Sequence, residues 1–83
     1  MTNRTRNERK YGRWQPMPHG GRLYCLEILG RMGWKACYFK EVDASEKTLR
    51  FWQVIYDPEN RIVEIHEKFP FDLGHRPVED PLP

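Results

Sequence analysis

Apolar and polar positions alternate most clearly in the middle of this 83-residue chain. TLRFWQVIY (48–56) and RIVEIHEKF (61–69) are dense in β-branched and aromatic residues, and DPENR (57–61) links them. Pro58 suits the first central position of a type I turn. Asn60 tolerates the left-handed backbone that closes such a turn with a bulge. Upstream, RLYCLEIL (22–29) and WKACYFKEVD (34–43) carry a strand signal on either side of GRMG (30–33), and ASEK (44–47) is a polar break. Strands in sequence with short connections form a meander. The pattern therefore predicts a small α+β or mainly β fold, a four-stranded antiparallel meander. Two segments also admit helix. Leu23, Leu26 and Leu29 could share one helical face, leaving three strands with one short helix packed across them, and Ser45 could cap a helical turn.

The ends lack this pattern. Residues 1–10 hold no apolar residue after Met1, which predicts a disordered basic arm. In YGRWQPMPHGG (11–21), Pro16, Pro18 and the pair Gly20 and Gly21 exclude a regular helix. Tyr11, Trp14 and Met17 could still cover the core as an extended segment. Pro70 should end the last strand because proline donates nothing to the ladder. FDLGHRPVEDPLP (71–83) then reads as a Pro-rich coil, with Phe71 and Leu73 tucked inward. The expected organisation is one domain over 11–73 and a tail over 74–83.

If DPENR closes with Asp57 facing Arg61, Ile55 opposes Val63, Gln53 opposes Ile65 and Phe51 opposes Glu67. Tyr56 then opposes Ile62, Val54 opposes Glu64 and Trp52 opposes His66. Strand side chains alternate faces, so one slip flips the whole assignment. The odd-numbered face (Leu49, Phe51, Ile55, Val63, Ile65, Phe69) becomes the core, with Phe51, Ile55, Val63 and Ile65 buried. The even-numbered face holds Arg50, Trp52, Tyr56, Glu64, His66 and Lys68.

Composition narrows the class. The chain is too short for a large core, yet it has 4 Phe, 3 Trp and 4 Tyr, so a few rings must do the packing. No apolar run could span a bilayer and no signal-peptide pattern is present, which points to a soluble, cytoplasmic protein with no membrane contact. Cys25 and Cys37 match neither a zinc pattern nor a disulfide scaffold, and free thiols are expected. A first hairpin turning about Arg31 would set them directly opposite each other. Charge is uneven: residues 1–40 carry nine Lys/Arg against two acids, and residues 41–83 five against ten. The basic half could meet RNA, although short basic arms are usually plain solvated surface.

The chemistry-bearing residues crowd into EIHEKFPFDLGH (64–75). Arg50, Trp52, Tyr56, His66 and Lys68 form a candidate binding face, in which aromatics could stack on bases while cations meet phosphates. Its plainer reading is a covered or dimerising surface. Within it Glu64, His66 and Arg50 are the candidate base, acid and phosphate clamp for RNA cleavage. His19, His66 and His75 with Asp72 could meet a metal such as zinc, but their spacing fits no ligand pair, so no metal or cofactor is expected. His75 belongs to the tail, where nothing brings it to His66. A small basic chain with a meander and Arg50, Tyr56, Glu64 and His66 on its final strands resembles compact bacterial toxins of the RelE type over residues 22–69. That resemblance implies a ribonuclease, and the two N-terminal helices usual in the family are absent from the pattern. Without a catalytic motif, the leading expectation is an interaction module that binds a protein partner or itself, as a homodimer, through the aromatic face. The alternative is a nucleic-acid-binding protein or ribonuclease-like hydrolase acting on RNA.

Overall fold

In a computed structural model, residues 2–72 and 74–77 are described. They form helix α1 (Asn3–Lys10) and strands β1 (Arg13–Pro16), β2 (Arg22–Leu29), β3 (Lys35–Val42), β4 (Thr48–Tyr56), β5 (Ile62–Phe69) and β6 (Gly74–Pro77). The strands lie in sequence order in one antiparallel six-stranded sheet. The fold is thus mainly β with one short helix. It is a meander as expected, but with six strands instead of four.

The two extra strands come from the segments expected to be irregular. β1 takes up the extended cover, and its Pro16 stands on a sheet edge, where a missing N–H costs no ladder bond. β6 takes up the start of the expected tail, pairing Gly74–Pro77 with Glu67–Glu64. Residues 78–83 and Leu73 lie outside the described residues. Phe71, expected to tuck inward, is exposed.

Three of the hairpins close the same way. In Met17–Gly21, Asp43–Lys47 and Asp57–Arg61 the first N–H donates to the fifth carbonyl, and the fourth N–H donates to the first carbonyl. Each fourth residue is left-handed: Gly20 (φ 91°), Glu46 (φ 67°) and Asn60 (φ 67°). The Asn60 turn forms as the sequence predicts. In two of these turns an aspartate seals the loop. Asp43 accepts the Ser45 hydroxyl at 2.8 Å and the Lys47 N–H at 2.9 Å. Asp57 accepts the Arg61 and Glu59 N–H groups, each at 2.9 Å.

The N-terminal ten residues, expected to be disordered, are where the structure departs most from the pattern. The Thr2 hydroxyl caps α1 by accepting the Thr5 N–H at 3.1 Å, and Arg9 and Lys10 sit at the negative end of the helix. A helix this short does not stand alone. Tertiary bonds hold it: Arg22 donates to Glu8 at 2.8 Å, and Asn7 is buried in a polar network beneath. The helix docks through an amide instead of an apolar stripe, so hydrophobic periodicity could not disclose it.

That network surrounds Glu46. Its Oε1 accepts the Tyr24 hydroxyl at 2.5 Å and the Asn7 amide at 3.2 Å, and Lys40 donates to Asn7 Oδ1 at 3.0 Å. A non-glycine residue in the left-handed region costs about 1–2 kcal/mol, and these bonds offset it. Beside the network, Tyr11, Tyr24 and Val42 make the buried apolar cluster, with Leu26, Tyr38 and Phe51 half-buried against it. Phe51, Ile55, Val63 and Ile65 are all only half-buried, and Leu49 and Phe69 are exposed, so the expected odd-numbered core does not form. The centre of packing lies instead on β2, β3 and the helix.

Three expectations follow. Gly21 runs so close to β3 that a Cβ there would sit 1.8 Å from the Val42 carbonyl oxygen. Gly21→Ala should cost about 3 kcal/mol or more in denaturant melts. Tyr24→Phe should cost about 1–3 kcal/mol, because it strands a buried carboxylate. The Ser45 hydroxyl holds the Asp43 carboxyl below the usual carboxylate range, and the Arg61 backbone N–H does the same for Asp57. A depressed folded pKa stabilises fully above the unfolded value of about 3.9 and is lost as pH falls through the folded value. The thermal midpoint should therefore drop on acidification below about pH 4, and less steeply in Asp57→Asn.

Candidate functional site

The sheet face opposite α1 carries a cavity of about 550 Å³ whose lining includes Leu23, Cys25, Cys37, Phe39 and Tyr56. Register places them together: Cys25 pairs with Phe39, and Phe39 with Trp52. Phe39 and Trp52 stack with ring centroids 5.2 Å apart. The Arg50 guanidinium lies 4.3 Å over Trp52, and Lys35 lies 5.0 Å over Tyr56. Each of three cations on the face meets a carboxylate, two of them sharing one. Arg50 forks onto Glu67, while Arg13 and Lys35 reach Glu27 at 4.0 and 3.8 Å. The result is an aromatic surface with an ion-paired rim, suited to packing more than to holding a polyanion.

The cysteines share this face but are not directly opposed. The β2–β3 turn is centred on Met32, not Arg31, so Cys25 faces Phe39 and Cys37 faces Glu27. Both thiols are free. Burial pushes the Cys37 thiol up, which keeps it protonated and unreactive.

The register of β4 on β5 divides the expected binding face. Tyr56 pairs with Ile62 as expected, but Ile55 then pairs with Glu64, leaving Val63 as an unpaired extra residue. A bulge of this kind shifts the pairs that follow by one, until a second at Lys68 sets Phe51 opposite Phe69. Val54 thus meets Ile65, Gln53 meets His66 and Trp52 meets Glu67. Arg50, Trp52 and Tyr56 remain on the groove face, whereas Glu64, His66 and Lys68 turn to the helix face. Arg50 is therefore separated by the sheet from Glu64 and His66, and the three cannot converge on one phosphate. Nothing in the run RIVEIHEKF marks the bulge.

The helix face gains a pair that sequence reasoning placed apart. β6 sets His75 directly opposite His66, with ring centroids 4.3 Å apart. Each imidazole has a carboxylate: His66 Nε2 lies 2.6 Å from Asp72, and His75 Nδ1 contacts Glu64. The Gly74 N–H and then His66 hold the Asp72 carboxyl below its usual range. His66 Nδ1 is buried without a hydrogen-bond partner among the described residues. His19 is elsewhere, on the β1–β2 turn, 2.8 Å from Glu41. Among the described residues no three His, Cys, Asp or Glu side chains are arranged to hold a metal ion. Also among them, no helix is long and apolar enough to cross a membrane.

No protein-family model, curated protein or solved structure matches the chain.

The bulged register has a direct readout. Proton NMR should show contacts between the Val54 and Ile65 methyls and between the His66 and His75 rings. A contact between the Trp52 indole and His66 would mean that β5 pairs without the bulge.

Proposed function

We propose that the chain is a small interaction module that pairs with a second copy of itself through its groove face. The carrying observation is a mismatch between a small buried core and a groove face whose rings, Phe39, Trp52 and Tyr56, are only half-buried. Only five apolar residues are buried among those described: Tyr11, Tyr24, Cys37, Val42 and Val54. Two of them, Cys37 and Val54, belong to the groove face, which no described element covers. A domain of this size gains much of its stability from whatever caps such a face.

A second copy fits that role better than an added strand. Both sheet edges are four-residue strands ending in proline, which discourages edge-to-edge pairing. Face-to-face packing needs an apolar centre and matched charges at the rim. Phe39, Trp52 and Tyr56 supply the centre, and Arg13, Lys35 and Arg50, with their acids, supply the rim. A standard interface of roughly 800 Å² per partner is a modest share of the 6067 Å² surface. Two-fold pairing is the commonest closed arrangement.

Sedimentation at micromolar concentration should give a dimer, and Phe39→Glu should give a folded monomer. A wild-type monomer throughout that range would reject self-pairing. A dimer that persists in Phe39→Glu would move the interface away from this face. Nucleic-acid binding is a second reading, favoured by a separate observation on the other face.

A further inference from the structure

The helix face holds two adjoining cavities of different chemistry. One, of about 460 Å³, is lined by Arg6, Asn7, Lys10, Lys40, Glu46 and Lys47, among others. Its cations come from three places in the chain. Arg6 and Lys10 are one turn apart on α1, Lys40 is on β3, and Lys47 is on the β3–β4 turn. Among the described residues none of the four is ion-paired, whereas Arg13, Lys35 and Arg50 on the groove face all are. Glu46 is the acid in this lining. Its Oε1 is engaged by Tyr24 and Asn7, and its Oε2 lies 3.9 Å from Arg4. A positive surplus remains. The second cavity, of about 310 Å³, is lined by Lys10, Tyr11, Leu26, Tyr38, Phe51 and Lys68. Tyr38 and Phe51 lie in stacked orientation with centroids 6.3 Å apart, and Lys68 sits 5.3 Å over the Tyr38 ring.

The two cavities share Lys10. Their floors touch as well, because Lys40 and Phe51 are direct cross-strand partners. Such partners stand about 5 Å apart at Cβ. A ligand with an anionic end and a flat aromatic end, linked over a short distance, would fill both.

We propose that this face binds a nucleotide, with its phosphate held among Arg6, Lys10, Lys40 and Lys47 and its base laid against Tyr38 and Phe51. Phosphate oxygens suit a cluster of Lys and Arg that lack carboxylate partners, and bases stack on ring faces without needing a sequence code. Burial and the neighbouring Lys10 push the Lys40 ammonium down from its usual value. An oxyanion between the two lysines removes that penalty. The nucleotide can be free or part of a single strand; the Lys68 ammonium, 5.3 Å over the Tyr38 ring and 5.8 Å over the Phe51 ring, moves off them to a phosphate as the base takes its place.

The test is NMR titration of the full chain with inorganic phosphate, with adenosine monophosphate and with a short single-stranded RNA. Phosphate should shift the Arg6, Lys10, Lys40 and Lys47 signals and raise the Lys40 pKa. The monophosphate should bind more tightly than phosphate and also move the Tyr38 and Phe51 ring signals. Lys40→Gln should weaken nucleotide binding roughly tenfold or more with the fold retained, judged by an unchanged amide spectrum elsewhere. Phe51→Leu should reduce the advantage of the monophosphate over phosphate. If that variant does not fold, the ring shifts of the wild type decide the point. Binding of all three ligands identifies a nucleotide site open to either source. RNA binding alone, with a steep salt dependence and shifts at the same residues, assigns the site to a strand. Equal binding of phosphate and monophosphate with silent rings overturns the base half. No response of the four cations to any ligand at millimolar concentration overturns the whole. The groove face lies on the other side of the sheet, so Phe39→Glu should leave nucleotide binding intact. The two readings can therefore fail separately.

Discussion

One buried carboxylate joins most of this molecule together. Glu46 belongs to a tight turn, yet its side chain points inward to meet Tyr24 of β2 and Asn7 of α1, and Asn7 in turn takes a bond from Lys40 of β3. Helix, first hairpin and second turn are thereby tied at one point. Burying a charge is costly unless it is well hydrogen-bonded, and Glu46 Oε2 has no hydrogen-bond partner among the described residues. The arrangement holds because the turn residue, the tyrosine and the helix arrive together. Removing any one of them leaves the others exposed to the desolvation cost of the carboxylate.

This tie gives the sheet two unlike faces. On the helix side, α1 covers only the end built on Tyr24 and Val42. It brings Arg6 and Lys10 down beside Lys40 and Lys47, and leaves Tyr38 and Phe51 only half-buried. On the groove side no described helix or strand lies over Phe39, Trp52 and Tyr56, and the cations beside them are ion-paired. The uneven charge seen along the chain therefore becomes an uneven charge across the sheet. Arg6, Lys10, Lys40 and Lys47 gather without carboxylate partners beside the helix, whereas Arg13, Lys35 and Arg50 border the aromatic groove in ion pairs. An apolar interface and an anion site can coexist on so small a domain because the sheet separates them.

The imidazole pair illustrates how strongly local geometry governs a site. His66 and His75 are nine positions apart in sequence, with Pro70 and Asp72 between them. The chain turns back after Pro70, Asp72 receives the Gly74 N–H at 2.9 Å, and β6 then pairs with β5. Asp72 both shapes that turn and meets His66. The histidines are adjacent because an aspartate organises the reversal, not because either histidine was selected by a strand pattern.

Period-two patterning and turn chemistry were sufficient to read much of this protein. The strand character of 22–29, 34–43, 48–56 and 61–69, their meander order, and the Asp57–Arg61 turn with left-handed Asn60 all follow from β-branched and aromatic residues between Pro, Gly and Asx signals. These are nearest-neighbour effects, carried by a few adjacent residues. The remainder depended on partners distant in the chain. α1 forms because Asn7 and Tyr11 find Glu46 and Tyr24; in isolation its polar residues carry no helical stripe. β1 and β6 form because neighbouring strands offer free ladder groups to short segments that have weak strand propensity of their own. The extra residue at Val63 decides which face His66 occupies, and no residue type announces it. Strand existence is a local property, whereas register and docking are settled by the energy of the assembled sheet. The candidate sites, which need side chains from several strands on one face, were therefore decided by the tertiary structure.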